Sequence, residues 1–564
     1  MLLFTAIDSA AEKGSSSSKS STKSKDHFPL PDVHISHAGD AEKAEKASAG
    51  VLIIEEGNAV REARTRVGRW TQHATRRLAA LGLEMEGIEP IPDSQRTDKR
   101  LYQFFFVWFS ANANILTLSA GTVGPAFYGL GIRDSFYLIL FVDLISCAFP
   151  SFFAIFGPKL GTRSMVAARF SWGYYGAVIP SILNVLSMQG YLVINTIVGG
   201  QTLAEASPHL DATLGIVIIA LISLIITFCG CQVLHWYELL IWIPNVIAFI
   251  VMLIVGGHQL MSAPLINPAG PASAAAIMTS GASLAVTVVS WSTLTPDYGV
   301  YHDKNASAWR IFWYTYLGFL ISSVPAHMLG AAFAAGATVV PAWSAGLGDG
   351  NDVGGLVAAV LAPTGRFGKF LLVLLSLTAP SACAPTMYTV CMSFMTVHRA
   401  FARLPRGVVA IASTAVLIPV AIVGARSFYE TFVDILALIG YWLAPFLAAA
   451  LTEHILFRRT YAAYPARDAW DSPAHPSLPP PWPALLALAA AVGASVLGMQ
   501  QVWWTGPVAA RGTGDVGMLM GFAVAVGAYA GARALGRRWG ARGAPRVVVA
   551  ARRVIPGMRD GEKA

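Results

Sequence analysis

Charge is scarce in this chain. Only 13% of its 564 residues are Asp, Glu, Lys or Arg, against 55% that are hydrophobic, and the mean hydropathy is +0.55. A water-soluble domain carries about a quarter charged residues, so the composition excludes one and leaves lipid as the main solvent. Cysteine is scarce as well. Cys147, Cys229, Cys231, Cys383 and Cys391 all lie in or at the edge of apolar stretches, and Cys229 and Cys231 are too close together for a zinc CxxC, which argues against a disulfide or metal framework. His235 and Glu238, three apart, supply only two ligands. The start, MLLFTAIDSA, has no basic n-region and too short an apolar run for a signal peptide, so the N-terminal segment is expected to stay in the cytosol. The net charge of +8 is not organised into a basic and aromatic recognition module, and no nucleic-acid partner is expected. With no nucleophile and base pair and no metal constellation in view, neither an enzyme nor a cofactor is expected.

What the chain does have is long apolar runs. A membrane-spanning helix needs about 20 apolar residues, because only a helix or a closed barrel satisfies its own backbone in hydrocarbon. Twelve candidates follow one another at 103–129, 135–156, 174–203, 213–230, 237–257, 274–296, 309–336, 367–397, 408–424, 430–457, 482–504 and 515–535. The expected fold is therefore an all-α integral membrane protein of about 12 transmembrane helices. Its expected divisions are a largely disordered cytoplasmic tail over 1–100, a transporter body over 101–535 and a basic cytoplasmic tail over 536–564. The first tail holds a Ser and Lys tract at 15–25 and an amphipathic helical pattern near 58–81. One set of loops carries Lys159, Arg163, Arg169, Lys304, Arg310, Arg399, Arg403, Arg406, Arg458, Arg459 and Arg467, and the other only Arg133, Arg366, Lys369, Arg426 and Arg511. The richer set belongs on the cytoplasmic side, with both termini. The basic C-terminal residues suit an anionic leaflet, so membrane lipid is an expected partner.

Two spans carry interruptions five helices apart. In the first, Ser119-Ala120-Gly121-Thr122-Val123-Gly124-Pro125 weakens a helix with glycine and ends it with proline. In the sixth, Trp291-Ser292-Thr293-Leu294-Thr295-Pro296-Asp297 combines polar side chains with a proline. Matched breaks are the trace of a five-plus-five inverted repeat with substrate held where the broken helices meet. The eighth span, with Pro380 and Pro385 among Ser381, Thr386 and Thr389, also makes a poor continuous helix.

These residues resemble the purine-cytosine permease branch of the nucleobase-cation-symport-1 transporters, its fungal members above all. The resemblance runs in order through GIEPIPDSQRTD (87–98), FGPKLGTRSMVAARFSWGYYG (156–176), NVLSMQGYLVINTIVGGQ (184–201), HWYELLIWIP (235–244), SWSTLTPDYGVYH (290–302) and LALIGYWLAPFLAAALTEHILFRR (436–459). It implies a LeuT-like bundle with two added C-terminal helices. A flat heterocycle would bind between helices one, three, six and eight and be carried with a cation, which for fungal members is expected to be a proton. Trp291 resembles the family tryptophan that stacks on the ring, and Asn195 the helix-three residue that hydrogen-bonds the base. Tyr191 stands where a tryptophan is usual. Thr117 and Ser119 sit at the helix-one break. Helix eight departs from the family: the asparagine pair of a motif like NNVPNMYS is replaced by Ala382-Cys383-Ala384-Pro385-Thr386, so Cys383 and Thr386 stand where amides would read the base. Pyridoxine or thiamine is thus an alternative to cytosine or a purine, and a non-transporting sensor on the same fold is a second alternative.

The residues support those roles on their own terms. Aromatic faces hold a planar ligand, Asn supplies both donor and acceptor, and Tyr191 and Asn195, four apart, share a helical face. For coupling, the acidic candidates are Asp143, Glu238 and Asp297, since carboxylates at membrane depth are costly unless used or paired. Carbonyl oxygens near Leu116 and Ser119 are the alternative, as a sodium site.

Overall fold

The structure, a computed structural model, describes residues 87–228, 230–263, 265–348 and 351–543, with backbone alone at 230–240 and 539–543. Helices make up most of it, and the described residues form only two isolated β-bridges. The first span is the pair α1 (Gln103–Asn112) and α2 (Ile115–Tyr128), which meet at 54°. α3 (Ile132–Ser146) and α4 (Ala148–Ala154) belong to a second span that reaches Leu160. The third, fourth and fifth lie in α5 (Val178–Ala204), α6 (Ala212–Phe228) and α7 (Gly230–Ser262). The sixth is α8 (Ala274–Val289), a 3-10 turn over Ser290–Thr293, and α9 (Thr295–Gly299). α10 (Ala308–Gly336) follows, then α11 (Val353–Leu361), which packs against α5. The eighth span joins α12 (Arg366–Ser376) to α13 (Thr378–Val397). α14 (Arg406–Gly424), α15 (Phe428–Thr452), α16 (Trp482–Gly498) and α17 (Gly517–Gly543) complete the body.

By length and apolarity, eight helices among the described residues can cross a membrane, or nine with the bent first pair. The expected twelve is reached only by separating α14 from α15 within the 406–458 run and admitting α6 and α16, which at 17 residues each are shorter than a typical span. Of the expected N-terminal tail, residues 87–100 are packed against the body, while the Ser and Lys tract and the amphipathic pattern near 58–81 lie outside the described residues. So does the C-terminal tail beyond 543.

The break in the first span lies upstream of where glycine and proline suggested it. α1 stops at Ala113, whose amide donates to Phe109 O at 2.8 Å, and Asn114 restarts the chain by accepting from Thr117 N at 2.9 Å. Asparagine competes with the helix for backbone partners and favours a cap, so the Ala-Asn-Ala-Asn run breaks the span. The 119–125 run is helical throughout, and Pro125 sits within the last turn of α2, which closes at Gly129 with φ 68°. The sixth span does break where expected, across 290–294. The eighth breaks at Leu377, which puts Pro380 in the first turn of α13, where its missing amide costs nothing.

Two devices hold the arginine-rich end. Residues 88–98 form a strap: Ile91 N donates to Gly161 O at 2.8 Å, Arg96 to Pro158 O, and Asp98 pairs with the turn after α9 through Tyr301 O and Asp303 N. Its leading residue, Ile88, is buried in a small cluster with Val166, Met392 and Met395. The second device is an ion cluster. Glu453, 1% exposed, begins a π-helical turn after α15 and accepts from Arg458 at 3.1 Å, from Arg533 of α17 at 2.9 and 3.0 Å, and from Tyr529 at 3.0 Å. Tyr529 shares its one hydroxyl proton between Glu453 and Ser171 O, the latter at 2.8 Å, so α17 is tied to the short helices that follow the second span.

Candidate functional site

A small cavity opens where the broken first and sixth spans meet α5, α10, α13 and α15. Its lining includes Asn112, Asn114 and Thr117 from the first break, Tyr191 and Asn195 from α5, Ser290 and Trp291 from the sixth break, His327 from α10, Thr386 from α13 and Phe432 from α15. Its free volume is about 30 Å³, room for only about one or two waters. Anything larger enters only as these helices part.

Each wall is fixed by its own chemistry. Trp291 sits on the 3-10 turn, with its ring against Trp108 (5.8 Å, 68°) and Phe319 (6.0 Å, 49°). Trp108 in turn stacks on Phe319 at 5.2 Å and 18°, so the tryptophan that faces the cavity has an aromatic backing. Tyr191 donates from its hydroxyl to Val286 O at 3.0 Å, which ties α5 to α8. Asn195 donates its amide to Tyr191 O at 2.9 Å, one turn back, and its Oδ1 is buried without a partner. A buried acceptor left unpaired costs about 1–3 kcal/mol, which a ligand donor would recover. Thr117 donates to Asn114 Oδ1 at 3.3 Å and lies 3.4 Å from Asn112 Oδ1.

Of the residues singled out from sequence, Trp291, Asn195, Tyr191, Thr117 and Thr386 line this one cavity, and Ser119 and Cys383 do not. Ser119 is fully buried and bonds back to Leu116 O at 2.9 Å. Cys383 is turned toward Thr196 of α5 and Ser223 of α6. Thr386 bonds to Ala382 O at 2.7 Å. The three acidic candidates have separate settings. Asp143 is fully buried in α3, and its Oδ2 meets His327 Nδ1 at 2.9 Å. Asp297 is away from the cavity, where it accepts from Ser164 N at 2.6 Å while its carbonyl accepts from Arg163 at 2.9 Å. Glu238 falls on α7 where only the backbone is described.

Sequence reasoning passed over His327, Asn112, Asn114, Ser290 and Phe432. The signal for His327 was present: it is the one ionisable residue in the second half of a 29-residue apolar helix, and ionisable groups at that depth are functional candidates.

A family model described as a permease for cytosine/purines, uracil, thiamine and allantoin matches residues 90–521. The purine-cytosine permease fcyB of Emericella nidulans is 32% identical over 465 residues, which cover 82% of this chain and 91% of that protein. The purine-cytosine permease FCY21 of Saccharomyces cerevisiae is 32% identical over 452 residues, 79% and 84% of the two chains. Among solved structures, Mhp1, a nucleobase-cation-symport-1 family transporter in a closed conformation with bromovinylhydantoin bound, superposes with a TM-score of 0.61 at 19% identity, covering 81% of this chain and 96% of that one. The fold is thus the LeuT-like five-plus-five arrangement, extended by α16 and α17. Matched by the family model over most of its length and by these relatives across most of theirs, the chain belongs to the cytosine/purine permease family, within the fungal-type purine-cytosine branch of the nucleobase-cation-symport-1 transporters.

Proposed function

We propose that this protein imports a nucleobase, cytosine or a purine, across the plasma membrane in symport with a proton, with both chain termini in the cytosol. The observation that carries the reading is the convergence of Trp291 and the unpartnered Oδ1 of Asn195 on one cavity at the helix breaks. An aromatic face and a fixed acceptor suit a flat ring with exocyclic donors such as an amino group. The cavity's small size supports a carrier cycle, since a site too tight for its ligand in one conformation must open in another. The orientation is supported by the excess of Lys and Arg in one set of loops.

Radiolabelled uptake in cells lacking their own carriers tests this, over a panel of cytosine, adenine, hypoxanthine, uracil, allantoin, pyridoxine and thiamine. Saturable cytosine or adenine uptake is expected, lost in Trp291→Ala and kept in part by Trp291→Phe, both at normal surface expression. Preference for pyridoxine or thiamine would replace the nucleobase assignment, and no uptake of any of them would favour a sensor. Uptake is expected to rise as external pH falls and to collapse with a protonophore. Strict sodium dependence would discard the proton.

A further inference from the structure

Asp143 and His327 form a pair that the membrane interior makes costly. They are 0% and 1% exposed and joined through Oδ2 and Nδ1 at 2.9 Å. Oδ1 of Asp143 and Nε2 of His327 have no partner. His327 lines the cavity with Trp291 and Asn195, and Asp143 does not. The carboxylate holds the ring by Nδ1 and leaves Nε2 as its one free polar atom.

We propose that His327 is the proton-binding residue of symport, that Asp143 is its positioning partner, and that proton and heterocycle meet at Nε2. The inference rests on the carrier reading above and names the atom that couples its two ligands. With Nδ1–H donated to Asp143, the neutral ring presents a lone pair at Nε2 and the pair carries one net negative charge. A proton taken from water forms an N–H bond at Nε2, which turns an acceptor into a donor and makes the pair neutral. Net charge is disfavoured at membrane depth, and the protonated pair carries none. A ring nitrogen or carbonyl of the heterocycle can accept only from the protonated ring. Proton and heterocycle then raise each other's affinity by the same factor. Release reverses the step, with the N–H bond breaking to water on the other side.

Few other groups can titrate near this pair. The elements packed on α3 and α10 include α1, α4, α8 and α11, which contain no acid or base, and α2, which contains only Tyr128. α3 carries Arg133, Asp134 and Tyr137 in its first two turns, and Cys147 follows Asp143 by one turn. α10 carries Arg310, Tyr314 and Tyr316, the last donating to Leu144 O at 2.9 Å. α7 brings the exposed His258, together with Cys231, His235, Tyr237 and Glu238 in the stretch described by backbone alone. At the sixth break, Asp297 is engaged by Ser164. Imidazole is the side chain that ordinarily changes charge near neutral pH, and among the described side chains at the cavity His327 is the one imidazole.

The test uses the full-length protein in proteoliposomes, with tritiated cytosine and adenine as probes. For one proton per molecule, wild-type protein should accumulate a probe about tenfold per unit of inward pH gradient, because a unit of pH and a tenfold ratio are the same free energy. No saturable wild-type uptake of either probe overturns the nucleobase reading, and the dyad's role in nucleobase symport with it. In His327→Gln, accumulation should fall to passive equilibration, and the weakened counterflow that remains should not vary with pH over about 5 to 7. In Asp143→Asn, the loss of the negative neighbour should move half-maximal uptake to more acid pH, a readout that a packing role would not shift. A concentrative, normally pH-dependent His327→Gln overturns the proposal and leaves the carrier reading intact. Size-exclusion profiles identify a variant that does not fold, in which case His327→Asn carries the same test.

Discussion

A single methyl group on Gly121 probes whether the first span and α10 are locked together at His327. A Cβ there would lie 2.0 Å from His327 O and 2.7 Å from its Cα, whereas ordinary contact begins at 3.4 Å. The opposing atoms are backbone, so no rotamer change relieves the clash and the two helices must separate by more than an ångström. Against this, alanine gains about 1 kcal/mol over glycine in a helix interior. Overpacking costs about 1–3 kcal/mol, and more where backbone must move, so Gly121→Ala should lose about 1–2 kcal/mol net. The functional loss should be larger. A shift of that size carries the 2.9 Å contact between His327 and Asp143 beyond hydrogen-bonding distance. Hydrogen bonds to charged groups are worth about 1.5–3 kcal/mol, so concentrative uptake should fall about tenfold or more. Gly493, inside α16, has no atom within 4 Å of a built Cβ, and Gly493→Ala should be neutral or slightly stabilising. Thermal unfolding followed by fluorescence-detected size exclusion, together with tritiated cytosine uptake, reads both variants. Wild-type melting and uptake in Gly121→Ala would refute the claim that this contact is tight and shared with the site.

Three further outcomes are expected. Thr386→Asn, on the cavity wall, should change the ranking of competitors in an uptake assay, whereas Cys383→Asn, turned toward Thr196 and Ser223, should lower melting by about 1–3 kcal/mol of overpacking without changing the ranking; a changed ranking in Cys383→Asn alone would reverse the assignment. Glu453→Gln leaves Arg458 and Arg533, 7% and 15% exposed, without their shared counter-charge and should cost on the order of 3 kcal/mol, so an unshifted melting curve would show the cluster to be dispensable. Burial holds His302 below its ordinary titration range, opposed by Asp98; the unfolded chain then binds more protons below about pH 6.5, so stability is full above that pH and is lost on acidification. Melting curves between about pH 5 and 8 should show that slope, flattened in His302→Gln, and an equal slope in the variant would assign it to other groups.

The membrane body and the sixth break were legible in the sequence because their causes are local: apolar length in one case, and a run of hydroxyls ending in proline in the other. The first break was misplaced for an equally physical reason. Gly121 and Gly124 look like weak helix, yet Gly121 is glycine because α10 passes within contact of it, and the break belongs to the capping side chain of Asn114. Close approach between helices cannot be read from one helix alone. The side chains of the site divide the same way. Tyr191 and Asn195 follow from one helical face, whereas the direction of Cys383 depends on how α13 restarts after Leu377. His327 is recognisable from sequence as an isolated ionisable group, but its partner, 184 residues earlier, becomes evident only in three dimensions.

The strap at the arginine-rich end also sets a scale for motion. The polar contacts described above lie on the end of the second span and the turn after α9, but Ile88 reaches across to Met392 and Met395 of α13. A movement that parts α13 from the second span therefore breaks this apolar contact with Met392 and Met395 while those polar contacts stay seated. Re-exposing one isoleucine-sized side chain costs about 1.5–3 kcal/mol. A latch of that size, acting alone, leaves the unlatched form at about one molecule in ten to one in a hundred. It is firm enough to bias a resting population and weak enough for a ligand of modest differential affinity to release it.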